Sequence, residues 1–146
     1  MSTGDMKMCV VLNRVLREDP GRAINVAGHA MAGLVAKAAS QSPERFRAME
    51  FIDYPDASGV SHDYISAHGL IVLSAKAGQL HTLRRVFNQL DVVSVDFCAA
   101  MIDGTTAEQL ARVAATTTND LEPLCVAVFG PAEIIDPHTR RLSLWR

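Results

Sequence analysis

The stretch that decides the fold is GRAINVAGHAMAGLVAKAA, residues 21–39, a run of small and aliphatic residues whose only polar side chains belong to Arg22, Asn25, His29 and Lys37. At about 100° per residue the first three fall on one stripe of a helix, which Gly33 and Ala36 continue. Ala23, Ile24, Val26, Ala27, Ala30, Met31, Leu34 and Val35 occupy the other faces. That distribution predicts a helix buried over most of its circumference. A polar group in such a setting needs a partner or water. Two roles for the stripe stay open. Arg22 snorkels outward and His29 donates to a neighbouring carbonyl, or the stripe floors a cleft at the carboxyl ends of the strands, where open α/β sheets place ligands. In the second case the helix start near Gly21 and Arg22 favours an anion. Spacing does not choose between them.

Working outward, KMCVVLN (7–13) is an apolar, β-branched run of the kind buried on both sheet faces. RVLREDP (14–20) returns to polar residues, with Asp19 as N-cap and Pro20 in the first turn of the helix, which runs to about Ser40. Residues 41–67 are polar and punctuated by proline and glycine; two β-prone pieces around PDASG predict an inserted hairpin. HGLIVLSA (68–75) is a second buried strand. Leu80, Leu83, Val86, Phe87 and Leu90 then follow helical spacing. DVVSVDFCAAMID (91–103) reads as a third strand. Thr105 and Glu108 have the spacing of a capping box opening a further helix with Leu110, Val113 and Ala114 as its apolar face. LCVAVFG (124–130) is a fourth strand, GPAEIIDPHT a turn with one helical turn, and RRLSLW (140–145) a terminal strand with period-two alternation. Strands alternating with helices predict a single α/β domain over residues 1–146 with a mixed sheet.

The chain has 146 residues, 49% hydrophobic and 21% charged, with a formal net charge of −2. That suits one folded core and argues against a disordered or fibrous chain. It also offers no general positive excess with which to release counterions from a phosphate backbone. Cys9, Cys98 and Cys125 each lie in an apolar run without zinc-like or disulfide-framework spacing, so reduced core thiols are expected. His62, His68, His81 and His138 are scattered and read as surface or loop residues. No metal and no cofactor is expected. MSTGDMKM (1–8) lacks a basic region followed by an apolar core, and no stretch reaches the ~20 apolar residues of a membrane span. A cytoplasmic protein without membrane association is the expectation.

GRAINVAGHAMAG (21–33) resembles the segment of type 2 peptidyl-tRNA hydrolases that carries Gly-Lys, a small-residue run with a Gln, then His-Ala and a Gly. LCVAVFGPAEIIDPHTRRLSLW (124–145) is similar to that family's closing strand, Gly-Pro turn, Ile-Asp, Thr and final Leu-x-Leu. GLIVLSAKAGQLHTLRRVFNQL (69–90) looks like its strand and helix. The resemblance implies a three-layer fold with a mixed sheet of about four strands, helices on both faces, a homodimer, and hydrolysis of the ester joining a peptide to tRNA. Arg22 falls at the family's Lys and His29 at its His, while Val26 replaces its Gln. Arg for Lys substitutes a planar fork for a compact ammonium. The family's Asp-Ala-Gly-Arg-Thr-Gln stretch has a loose echo in IDGTTAEQ (102–109), where Asp103 matches the Asp, Thr105 or Thr106 stands for the Thr, and the Arg is missing. These departures point to a divergent relative, of the kind found in families of unknown function that share the fold.

Three functions follow. One is a divergent hydrolase of an ester or amide, with His29 and Asp103 handling a proton, Thr105 assisting, and Arg22, Asn25 and Thr106 holding an anionic or tRNA-linked substrate. Asp103 is equally a strand-end turn residue and Thr105 equally an N-cap. The alternative is a non-catalytic binding or regulatory module that recognises a small anionic ligand or a protein partner on the same scaffold. The last is a nucleic-acid binder built on Arg14, Arg17 and Arg22 with Arg140, Arg141 and Arg146. It ranks lowest because Glu18 and Asp19 dilute the patch, and DNA is not an expected partner.

Overall fold

The computed structural model describes residues 4–146; the first three residues of the N-terminal stretch read above for a leader lie outside them. In chain order the elements are β1 (Met6–Asn13), α1 (Pro20–Gln41), α2 (Pro43–Ala48), β2 (Phe51–Ile52), β3 (Ile65–Ser66), β4 (Leu70–Ala75), α3 (Ala77–Phe87), β5 (Val93–Cys98), α4 (Thr106–Ala114), β6 (Pro123–Pro131), α5 (Ala132–Thr139) and β7 (Ser143–Leu144). A 3-10 helix, Arg14–Glu18, joins β1 to α1. The main sheet has five strands in the order β5-β6-β1-β4-β7, one more than the four implied by the resemblance. The fifth is β7, the terminal strand expected over residues 140–145, which is confined to Ser143–Leu144 and pairs with β4 only through Leu73↔Leu144 and Ser74↔Ser143.

β1 lies parallel to β4 and antiparallel to β6, while β5 is antiparallel to β6 and β7 to β4. β1, β4 and β5 therefore point the same way. Their carboxyl ends share one edge with the starts of β6 and β7, and every chain segment leaving that edge carries polar residues.

Helices cover both faces. Val10, Leu12, Val26, Ala30, Leu34 and Phe129 belong to the core under α1, and Val11, Leu80, Leu83, Phe87 and Ile135 to the core under α3 and α5. The expected all-round burial of α1 does not occur: its buried residues are Ala23, Val26, Ala30, Leu34 and Ala38, and Ile24 is 75% exposed. A helix laid across one sheet face meets neighbours along one stripe, and its abundance of alanine and glycine leaves little apolar area to hide elsewhere. Lys37 ties its later turns to the sheet, donating from Nζ to the Ser94 carbonyl at 2.8 Å.

Residues 41–67 hold the expected hairpin as a separate two-stranded ribbon, with Phe51↔Ser66 and Ile52↔Ile65 paired. They also hold α2, whose start uses Pro43 at a first-turn position that needs no N–H. The PDASG turn is closed by the Asp56 carboxylate, which accepts from the Ser58 and Val60 amides. The third strand ends earlier than expected, at Cys98, and passes into a short 3-10 turn, Ala99–Met101. Within GPAEIIDPHT the first two residues complete β6 and Ala132–Thr139 form a helix of 8 residues, longer than the single turn expected. α4 starts at its capping box as read, but its apolar face is poorly covered, with Leu110 66% exposed. All three cysteines are free and buried, and burial pushes the Cys9 thiol up to about 11 and the Cys125 thiol further.

Candidate functional site

The carboxyl edge of the sheet is organised from Asn13 at the end of β1. Its side chain accepts from the Val15 amide at 3.1 Å, turning the chain into the 3-10 helix, and donates to the Pro123 carbonyl at 2.8 Å, fixing that turn to the start of β6. Asp19 then caps α1, accepting from the Arg22 amide at 3.1 Å. This contact occupies a helix-start donor that had been read as a place for an anion. The cap also sets the direction in which the stripe faces.

The stripe lies on the flank of α1 that overlooks β5. The Arg22 guanidinium reaches the Asp103 carboxylate at 3.7 Å, with both side chains well exposed. His29, two turns on, is exposed and stacks on Phe97 of β5 with ring centroids 5.9 Å apart. Asn25 is exposed between them. Among the described residues no hydrogen bond joins His29 to Asp103. The Thr105 hydroxyl caps α4 by accepting from the Glu108 amide at 3.3 Å, and the Glu108 carboxylate returns to the Thr105 amide at 2.7 Å. Thr106 opens the helix and is exposed. Arg112 donates to the Asp103 and Ala100 carbonyls, and Gly104 takes a φ of +86°. This turn presents the Asp103 carboxylate outward while its backbone is held. Arg22 and Asp103 are thus brought together, His29 faces a different partner, and the group lies on open surface.

A better enclosed feature sits further along the same edge, over β1, β4 and β7. Arg14, Arg17, Lys76 and Arg141 line a cavity of about 210 Å³ together with Ser74 and Gln79. Arg17 donates to the Ser74 hydroxyl at 3.0 Å, and the Gln79 side chain accepts from the Lys76 amide at 2.9 Å at the start of α3. Among the described residues none of the four cations is in an ion pair; the pairs are Lys7 with Asp136, Arg22 with Asp103, Arg45 with Asp91 and His62 with Asp56. Four like charges around one hollow raise its potential unless an anion fills it. Arg14, Arg17 and Arg141 had been grouped by sign alone, whereas Arg22 belongs to the other flank of α1. Lys76 was missed; its only signal is a polar residue directly after a buried strand.

The remaining histidines are structural or peripheral. His62 pairs with Asp56 at 3.0 Å, and His68, half-buried in the bend before β4, contacts the Ala48 carbonyl at 2.9 Å and packs edge-on against Phe129, whereas His81 and His138 lie on α3 and α5 rather than in loops. Among the described residues no group of three or more His, Cys, Asp or Glu side chains is placed to hold a metal, and no helix is long and apolar enough to cross a membrane.

No curated protein matches the chain. Among solved structures, one of a protein of unknown function from Agrobacterium tumefaciens superposes with a TM-score of 0.75 over 97% of this chain and 98% of that one, at 19% identity. At that identity the likeness concerns the fold alone. Residues 6–146, from the first strand through the edge cavity to the last residue, match the family described as Protein of unknown function (DUF2000), and the chain belongs to that family.

Proposed function

We propose that the protein is a binding module for a small ligand carrying an oxyanion such as phosphate, held at the carboxyl edge of the sheet rather than on the α1 stripe. The observation that carries this reading is the cavity lined by Arg14, Arg17, Lys76 and Arg141, which have no carboxylate partner among the described residues. Guanidinium forks match the paired oxygens of phosphate or carboxylate, and a partly enclosed site strengthens each contact. Titration with inorganic phosphate against chloride at equal ionic strength, followed by melting temperature and calorimetry, tests it. Phosphate raises the melting temperature of wild type and of Arg22→Ala, and Arg141→Glu abolishes the rise. A phosphate effect no larger than that of chloride overturns the reading.

A hydrolase centred on the stripe is the second reading, and the approach of Arg22 to Asp103 beside the exposed ring of His29 favours it. The resemblance to type 2 peptidyl-tRNA hydrolases points the same way. Against it stand the separate partners of His29 and Asp103 and the use of the Thr105 hydroxyl as a cap. Incubation with a peptidyl-tRNA or a simple ester separates the two readings. Identical background rates for wild type, His29→Ala and Asp103→Asn remove the hydrolase.

A further inference from the structure

The anion cavity does not stand alone. On the α1 side of the sheet lies a second hollow of about 410 Å³, walled by Leu12, Ile24, Ala27, Val72 and Trp145, and Arg17 lines both. Ile24 and Ala27 sit on the flank of α1 opposite the Arg22 stripe, so the helix separates the two regions. Arg17 has an amphipathic posture: its guanidinium lies 5.8 Å from the centre of the Trp145 ring and donates to Ser74. Its charged end therefore stands at the boundary of the two hollows, against the Trp145 ring of the apolar one and the Ser74 hydroxyl of the polar one. Arg146 at the rim adds a further cation, and no acidic side chain lines either hollow.

Resting on the anion-binding reading above, we infer that the ligand is an amphiphile: its phosphate group occupies the Arg14, Lys76 and Arg141 cavity and its apolar body lies past Arg17 along Ile24 and Trp145. Charge complementarity selects the head, and the wall selects the body. A third hollow, of about 550 Å³ between α3 and α5, also borders Lys76 and Arg141, but there Gln79, Thr82 and His138 interrupt an otherwise apolar wall, whereas Arg17 and Arg146 are the only polar side chains lining the hollow beside Trp145. An alkyl body entering it would leave those groups without partners.

The chain contains one tryptophan, Trp145, so its emission reports occupancy of the apolar hollow directly. Inorganic phosphate, ethyl phosphate and hexyl phosphate, each below micelle formation, are titrated into the full chain by calorimetry and by tryptophan fluorescence. Affinity rises along the series by up to about fourfold per methylene buried, and hexyl phosphate shifts Trp145 emission. Ile24 is exposed, so the neutral Ile24→Asn leaves the fold and the inorganic phosphate affinity in place and flattens the chain-length series. Equal affinity for all three probes, a gain with unmoved tryptophan emission, or a gain that survives Ile24→Asn each overturns the inference while anion binding stands. Failure of every probe to bind above chloride removes the anion-binding reading itself.

Discussion

Asp103 and Glu108 sit five residues apart and are held in different ways. Glu108 accepts from the Thr105 amide, the chief cause of a pKa below the usual carboxylate range, and the Thr105 hydroxyl and Arg112 act in the same direction. A carboxyl lowered on folding contributes stability that is present above its ordinary pKa of 4.5 and is lost as pH falls through the lower folded value. Glu108→Gln therefore flattens that acid limb in pH-dependent urea melts, and the Glu108 carboxyl titrates in NMR below 4.5. Thr105→Ala removes the other half of the box and costs about 1 kcal/mol in urea denaturation. By contrast Asp103 meets Arg22 across solvent, and Arg22→Ala changes stability by about 0–1 kcal/mol. The capping box was legible in the sequence because its partners are three residues apart. The role of Lys76 was not, because the residues around its cavity come from three separate segments and meet only when the sheet assembles.

At the scale of elements, α1 shows how far periodicity can be trusted. Its ends were readable, since Asp19 and Pro20 act locally through backbone geometry, and Asp19→Ala lowers stability by about 1 kcal/mol in thermal melts. Its burial was not, because alanine and glycine fit a crowded surface and an open one equally well, and only the neighbours decide. Leu34 is fully buried in the core under the helix. Leu34→Ala costs about 2–5 kcal/mol by loss of contact and creation of a cavity, while Ile24→Asn, on the open flank, leaves the unfolding free energy within about 0.5 kcal/mol of wild type. The hairpin at residues 51–66 was readable from its PDASG turn. α2 was not, since six residues give too short a window for a helical period to emerge.

For the whole molecule, the apolar runs named the strands that build the sheet, but strand order and direction depend on pairings between distant segments that no local pattern encodes. The cysteines report on this larger unit. With Cys9 held up to about 11 and Cys125 higher still, thiol labelling at neutral pH is slow in folded protein and tracks the rate of global opening as denaturant is added. The last strand behaves differently from the core. β7 is held by two residue pairs and by the Trp145 amide donating to the Val72 carbonyl at 3.0 Å, with Arg141 just before it and Trp145 just after. On the binding reading proposed above, fraying of that strand and occupancy of the edge are thermodynamically linked: phosphate slows amide exchange at Trp145, and clipping the tail before Arg141 abolishes its effect on the melting temperature.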